Sequence, residues 1–172
     1  MATSNVIDKY TFASDANATD VGDLTAGGYG GSGLSSITYG FTQGGTGRTS
    51  VVDKYTFASD ANATDVCDLT TARVETGGSS GVTHGYSQGG GGGSTVIEKF
   101  SYSTELNTTD VGDLTVGRGG TVGTSSTVSG YTAGGNPDYI DVIDKFPFAS
   151  DANATDVGDL TVGRYAIACQ QA

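Results

Sequence analysis

The sequence predicts an all-β protein built from about four repeats of about 45 residues, each of four strands, and three observations predict it. One stretch recurs, from Val6 to Thr25, Val51 to Thr70, Val96 to Thr115 and Val142 to Thr161. Asp8, Asp53, Glu98 and Asp144 keep step within it at 45, 45 and 46 residues. A fixed step of that size is the sign of a repeat architecture. Glycine and β-branched residues interrupt every window long enough for a helix. Hydrophobic residues make up only 35% of the chain, yet many of its nine tyrosines and six phenylalanines recur at equivalent places, unlike the aromatic-poor composition of disordered chains.

Val6 to Ser14 reads as a strand, because β-branched and aromatic residues fall on both parities. A strand with apolar residues on both faces belongs between two layers. Asp15-Ala16-Asn17-Ala18-Thr19-Asp20 follows, rich in residues that hydrogen-bond their own backbone and close turns. Val21 to Thr25 is then the short second arm of a hairpin. Beyond a glycine-rich segment comes an aromatic strand ending in two glycines: Ser36 to Gly45, Thr83 to Gly90, and Val128 to Gly135. The paired glycines suit a tight bend or a close backbone approach.

Each unit therefore parses as four strands: a variable segment such as Thr71 to Gly77, the aromatic strand, the Val-Ile-Asp-Lys strand, and the strand ending in Asp-Leu-Thr. The units span 26–70, 71–115 and 116–161 of a single repeat domain. Residues 5–25 and 162–172 are left to share one further sheet, with Arg164 to Cys169 as its first strand, giving fifteen strands. The connection before the third strand varies from Thr46-Gly47-Arg48-Thr49 to Gly91-Gly92-Gly93-Ser94.

A net charge of −11 repels phosphate backbones and anionic lipid, which argues against nucleic-acid binding. No apolar run reaches the length of a membrane span, so membrane insertion is not expected. No secretory signal is visible at Met1 to Asn5. Cys67 and Cys169 are out of step with the repeat, so free thiols are expected.

The Tyr and Gly-Gly spacing of Tyr86 with Gly89-Gly90 and Tyr131 with Gly134-Gly135 resembles the kelch repeat. So do Glu98 with Phe100, Asp144 with Phe146, and the arginines Arg73, Arg118 and Arg164. Val66 with Leu69, Val111 with Leu114 and Val157 with Leu160 stand where that family carries Trp and Leu; this chain has no Trp. The wording of the repeats is also similar to divergent kelch-like arrays of marine bacteriophages. The resemblance implies a kelch-like β-propeller, complete or partial, in a virion or an extracellular assembly. It also implies a homo-oligomer or other assembly proteins as partners.

Asp15 to Asp20 imitates the start of a calcium loop, but Asp20 and Ala26 stand where such a loop needs Gly and Glu. Calcium thus remains an alternative to a plain turn, and no other cofactor is expected. Asp20 and Asp23 could form the carboxylate pair of a glycan-processing enzyme. They recur in every copy, as structural residues do, so no catalytic residue is assigned. His84 is the single histidine, too few for a histidine metal cluster. The Asn-X-Ser/Thr sequences at Asn17, Asn62, Asn107 and Asn153 count as one repeated turn. The expectation is a non-enzymatic structural and binding module. Its ligand residues are Tyr29, Tyr39, His84, Tyr86, Tyr131 and Tyr139, able to stack on a glycan or meet a protein. A calcium-stabilised adhesion scaffold is the other alternative.

Overall fold

The computed structural model describes residues 3–45 and 50–169. It is all β. A two-stranded sheet pairs β1 (Ser4–Lys9) with β2 (Thr19–Gly28). Three antiparallel meanders of four strands follow in chain order. The first holds β3 (Ser32–Ser35), β4 (Tyr39–Gln43), β5 (Val51–Thr56) and β6 (Thr64–Asp68). The second holds β7 (Gly77–Ser80), β8 (His84–Gln88), β9 (Val96–Ser101) and β10 (Thr109–Asp113). The third holds β11 (Val122–Ser125), β12 (Ser129–Ala133), β13 (Val142–Pro147) and β14 (Thr155–Asp159).

The third and fourth strands of every sheet meet at the same irregularity. Ile7 faces Gly22 while Asp8 faces Asp20, which leaves Val21 as the extra residue of a bulge. Val66, Val111 and Val157 are bulged in the same way. The side chain of Asp20 spans the bulge by accepting from the Gly22 amide at 3.1 Å, and Asp110 and Asp156 repeat this. A bulge strengthens local twist and re-aims the strand. Beside it, the third-strand carboxylates of Asp53, Glu98 and Asp144 face the preceding sheet.

Within each meander a glycine sits opposite an aromatic residue: Gly40 opposite Tyr55, Gly85 opposite Phe100, Gly130 opposite Phe146. The ring lies where a side chain would otherwise stand; a Cβ on Gly130 would come 2.1 Å from the Phe146 ring. These rings supply the core. One cluster joins Leu34, Phe41, Val52, Leu69 and Phe100, and another joins Tyr86, Ile97, Leu114 and Phe146. Each draws residues from two successive sheets, so the core lies between sheets.

The first strands pack against one another by their backbones. Gly33, Gly78 and Gly123 occupy equivalent places, and a Cβ on Gly123 would lie 2.3 Å from the Gly78 carbonyl oxygen. A hydrogen-bonded relay runs alongside: Glu75 N donates to Gly30 O, Gly120 N to Glu75 O, and Ala166 N to Gly120 O. All four residues take left-handed φ, between 52° and 70°. Segments 31–33, 76–78, 121–123 and 167–169 line one shared cavity of about 300 Å³.

Several expected boundaries are corrected. The first strand of the second unit is Gly77–Ser80 rather than Thr71 to Gly77, because its position follows from the backbone contact with Gly33 and Gly123 and not from strand-forming side chains. Chain β1 stops at Lys9, while β2 is longer than expected and runs to Gly28. Arg164 to Cys169 forms no strand among the described residues, and only its last three residues, 167–169, line the cavity. The connection Thr46-Gly47-Arg48-Thr49 and the end of the 162–172 segment lie outside the described residues.

Candidate functional site

The chemistry-bearing side chains of the repeat gather at the junctions between sheets. Asp53, Glu98 and Asp144, in β5, β9 and β13 opposite the bulges, are fully buried. Asp144 accepts from the Thr115 amide at 3.0 Å, the Thr115 hydroxyl at 2.7 Å and Arg118 Nη2 at 2.7 Å. Glu98 accepts from the Thr70 amide at 2.8 Å, from the Thr108 hydroxyl and from Arg73 Nη2. Asp53 accepts from the Thr25 amide and hydroxyl at 3.0 and 2.7 Å. Burial pulls the Arg73 and Arg118 pKa values down, and the facing carboxylates oppose it. Charge-assisted bonds of this kind are strong and fix geometry.

The turns complete each junction. Asn62, Asn107 and Asn153 accept from the amides of Asp23, Asp68 and Asp113, all at 3.1 Å. Ala63, Thr108 and Ala154 donate back to the carbonyls of the same three residues. On the outside, Lys9 pairs with Asp60, Lys54 with Glu105 and Lys99 with Asp151. The sequon asparagines thus act as sheet-to-sheet clamps, a role that the sequence reading missed. Their signal was their period, shared with Thr25, Thr70 and Thr115. No three His, Cys, Asp or Glu side chains gather in a metal-binding group among the described residues.

The six expected ligand residues do not form one site. Tyr39 and His84 take the same place at the start of β4 and β8, and Tyr86 and Tyr131 share another, in β8 and β12. The Lys54 ammonium lies 4.1 Å from the Tyr39 ring, and the Lys145 ammonium 5.9 Å from Tyr131. Tyr86 is buried, its ring stacked on Phe148 at 4.7 Å, and burial raises its pKa. Tyr29 and Tyr139 are exposed, the latter 5.5 Å from the Tyr165 ring.

His84 and Tyr86 line one concavity together, a cleft of about 220 Å³ between the β7–β8 and β11–β12 turns. Phe148 and Tyr86 supply apolar walls, and the exposed Val82 and Val128 lie in the two turns that flank it. His84 Nδ1 lies 2.9 Å from the Thr83 hydroxyl. Burial, and then Lys99, lowers the His84 pKa, so its ring is neutral at pH 7. The cleft therefore joins apolar surface to a neutral imidazole and a hydroxyl. A second cavity of about 240 Å³ lies between β1 and the β5–β6 turn, where Ile7, Asp8, Tyr55 and Phe57 meet.

Cys67 and Cys169 are free thiols; Cys67 is buried, and burial pushes its pKa up to about 12. No protein-family model matches the chain, and no curated protein matches it.

Proposed function

We propose that the chain is a non-catalytic binding and assembly module of the propeller type, with the His84 cleft as its glycan-recognition surface. The propeller reading is supported by the three consecutive meanders, their inward first strands and the one cavity lined by four equivalent segments. The repeated carboxylates, threonines and arginines are engaged in holding sheets together, which supports a scaffold over a catalyst. The virion or extracellular setting rests on the resemblance to phage-encoded arrays.

The observation that carries the binding reading is the cleft itself. It contains the single histidine, where the equivalent strands start with Tyr39 and Ser129, so it is specific to one repeat. Its volume lies below the roughly 300–1,000 Å³ of sites for drug-sized ligands, and suits one terminal sugar. Aromatic walls with a few directed polar groups are what a sugar ring requires: an apolar face to stack on and partners for its hydroxyls.

A glycan array tests this reading, with mass spectrometry of the same glycans after incubation. The expected result is binding of a defined set of terminal sugars, unaltered in mass. His84→Ala should weaken that binding about tenfold, the loss of one hydrogen-bonded contact, without shifting the melting temperature. Absence of binding to every glycan, or cleavage of any, contradicts it.

A further inference from the structure

The three internal junctions repeat one clamp of carboxylate, threonine and asparagine, with an arginine added at the second and third, and the first and last described sheets carry the separated halves of another. On one end stand Thr161, Arg164, Asp159, Lys145 and Tyr131, equivalent to Thr115, Arg118, Asp113, Lys99 and Tyr86. On the other stand Asp8, Asn17, Asp15 and Phe12, equivalent to Asp144, Asn153, Asp151 and Phe148. Within the molecule each member of the first set meets its counterpart in the next sheet. Among the described residues, these contacts are not made between the first and last sheets.

The exposures show the same separation. Asp53, Glu98 and Asp144 are fully buried, whereas Asp8 is exposed. Arg118 is fully buried and Arg164 exposed. Phe148 is half-buried against Tyr86, whereas Phe12 is 95% exposed. Gly112 has the Ala152 carbonyl of the next turn against it, but nothing lies within 4 Å of the position a Cβ on Gly158 would take. The carboxylate, asparagine, lysine and aromatic contacts of an internal junction use the third strand and the following turn of the next sheet, while the first strands pack separately along the cavity. The β1–β2 hairpin contains both that strand and that turn. The chain's own hairpin is held elsewhere, tied to the β3–β6 sheet by Thr25 to Asp53 and Lys9 to Asp60.

We propose that the end face carrying Thr161 and Arg164 binds the β1–β2 hairpin of a second copy of this chain, head to tail, in the register of the internal junctions. Asp8 of the incoming copy then accepts from Thr161 and Arg164, and its Asn17 clamps the Asp159 amide. Lys145 meets Asp15, Tyr131 stacks on Phe12, and Ala16 fills the space beside Gly158. Charge sign, hydrogen-bond sense and aromatic placement all match at once. The ends are heterologous, so association can continue beyond a dimer. This deepens the assembly half of the function proposed above and does not depend on glycan binding at the His84 cleft.

Sedimentation velocity over a concentration series from micromolar to hundreds of micromolar tests it. The comparison is the wild-type chain, Asp8→Arg and Arg164→Glu; both residues are exposed, and circular dichroism verifies that each variant folds. Wild type is expected to form dimers and longer species as concentration rises. Each variant alone should remain monomeric. An equimolar mixture should associate again, because Asp8→Arg retains an intact Arg164 face and Arg164→Glu retains an intact hairpin. A wild-type chain that stays monomeric throughout overturns the proposal; if its melting temperature also falls on Asp8→Arg, the chain's own hairpin occupies the face. Variants that associate as strongly as wild type overturn it too. Glycan binding is read separately, so failure of either reading leaves the other standing.

Discussion

Gly22, Gly112 and Gly158 share a repeat position with Cys67, and the exception explains itself through its neighbour. A Cβ on Gly112 would lie 2.5 Å from the Ala152 carbonyl oxygen, and one on Gly22 2.4 Å from that of Ala61. Opposite Cys67 the turn is different. It contains Glu105-Leu106 in place of Asp-Ala, and Glu105 adopts a left-handed φ of 52°, which none of its three counterparts does. The altered turn admits a side chain that the standard turn excludes. Gly112→Ala should therefore destabilise by about 1–3 kcal/mol, the cost of forcing an atom into a filled space. Chemical denaturation monitored by tyrosine fluorescence measures it. The sequence displayed the substitution at 67 but not its compensation at 105, because only the backbone relates the two.

At the scale of the element, the third and fourth strands were the most legible part of the fold. The Val-Ile-Asp-Lys segment and the segment opening at Val21 combine β-branched residues with the repeat, and both lie in strands in every copy, although Thr19 and Asp20, expected in the turn, already belong to β2. The first strands were misplaced because Gly77-Gly78-Ser79-Ser80 has little intrinsic strand preference. Close approach to neighbouring strands places it, and that is tertiary information. The acidic residue of the third strand bonds to the preceding sheet at each junction, a role that its period alone does not reveal. Arg118 was marked only by a family resemblance; its burial against Asp144 shows why an arginine stands there. A buried ion pair contributes little over an apolar pair, but removing one partner strands a charge. Arg118→Met should cost about 3–5 kcal/mol on that ground, read from urea unfolding. Arg164→Met, made at the exposed equivalent, should cost less than about 0.5 kcal/mol in dilute monomer.

For the whole molecule, stability resides between sheets as much as within them. Each four-stranded sheet places its large aromatics against the next sheet, and the polar clamp fixes their register. Such arrays gain stability from nearest-neighbour interfaces. The period of 45 residues made this arrangement legible, since no single unit has two hydrophobic faces of its own to close upon. The ligand surface was less legible: the candidate tyrosines look alike in sequence, while their exposure ranges from 4% at Tyr86 to 61% at Tyr139. Position relative to the next sheet decides which ring is covered, and that depends on residues some 60 positions away, such as Tyr102 for Phe41 and Phe148 for Tyr86.

Amide hydrogen exchange at Thr25, Thr70 and Thr115 tests the central claim most directly, because these amides donate to carboxylates of the following sheet and lie outside the ladders of β6 and β10. If the sheets are clamped as described, Thr70 and Thr115 exchange as slowly as the interior strands β5 and β9, and Asp53→Ala speeds exchange at Thr25 alone. Fast exchange at all three, with protection confined to amides paired inside single sheets, would contradict the account.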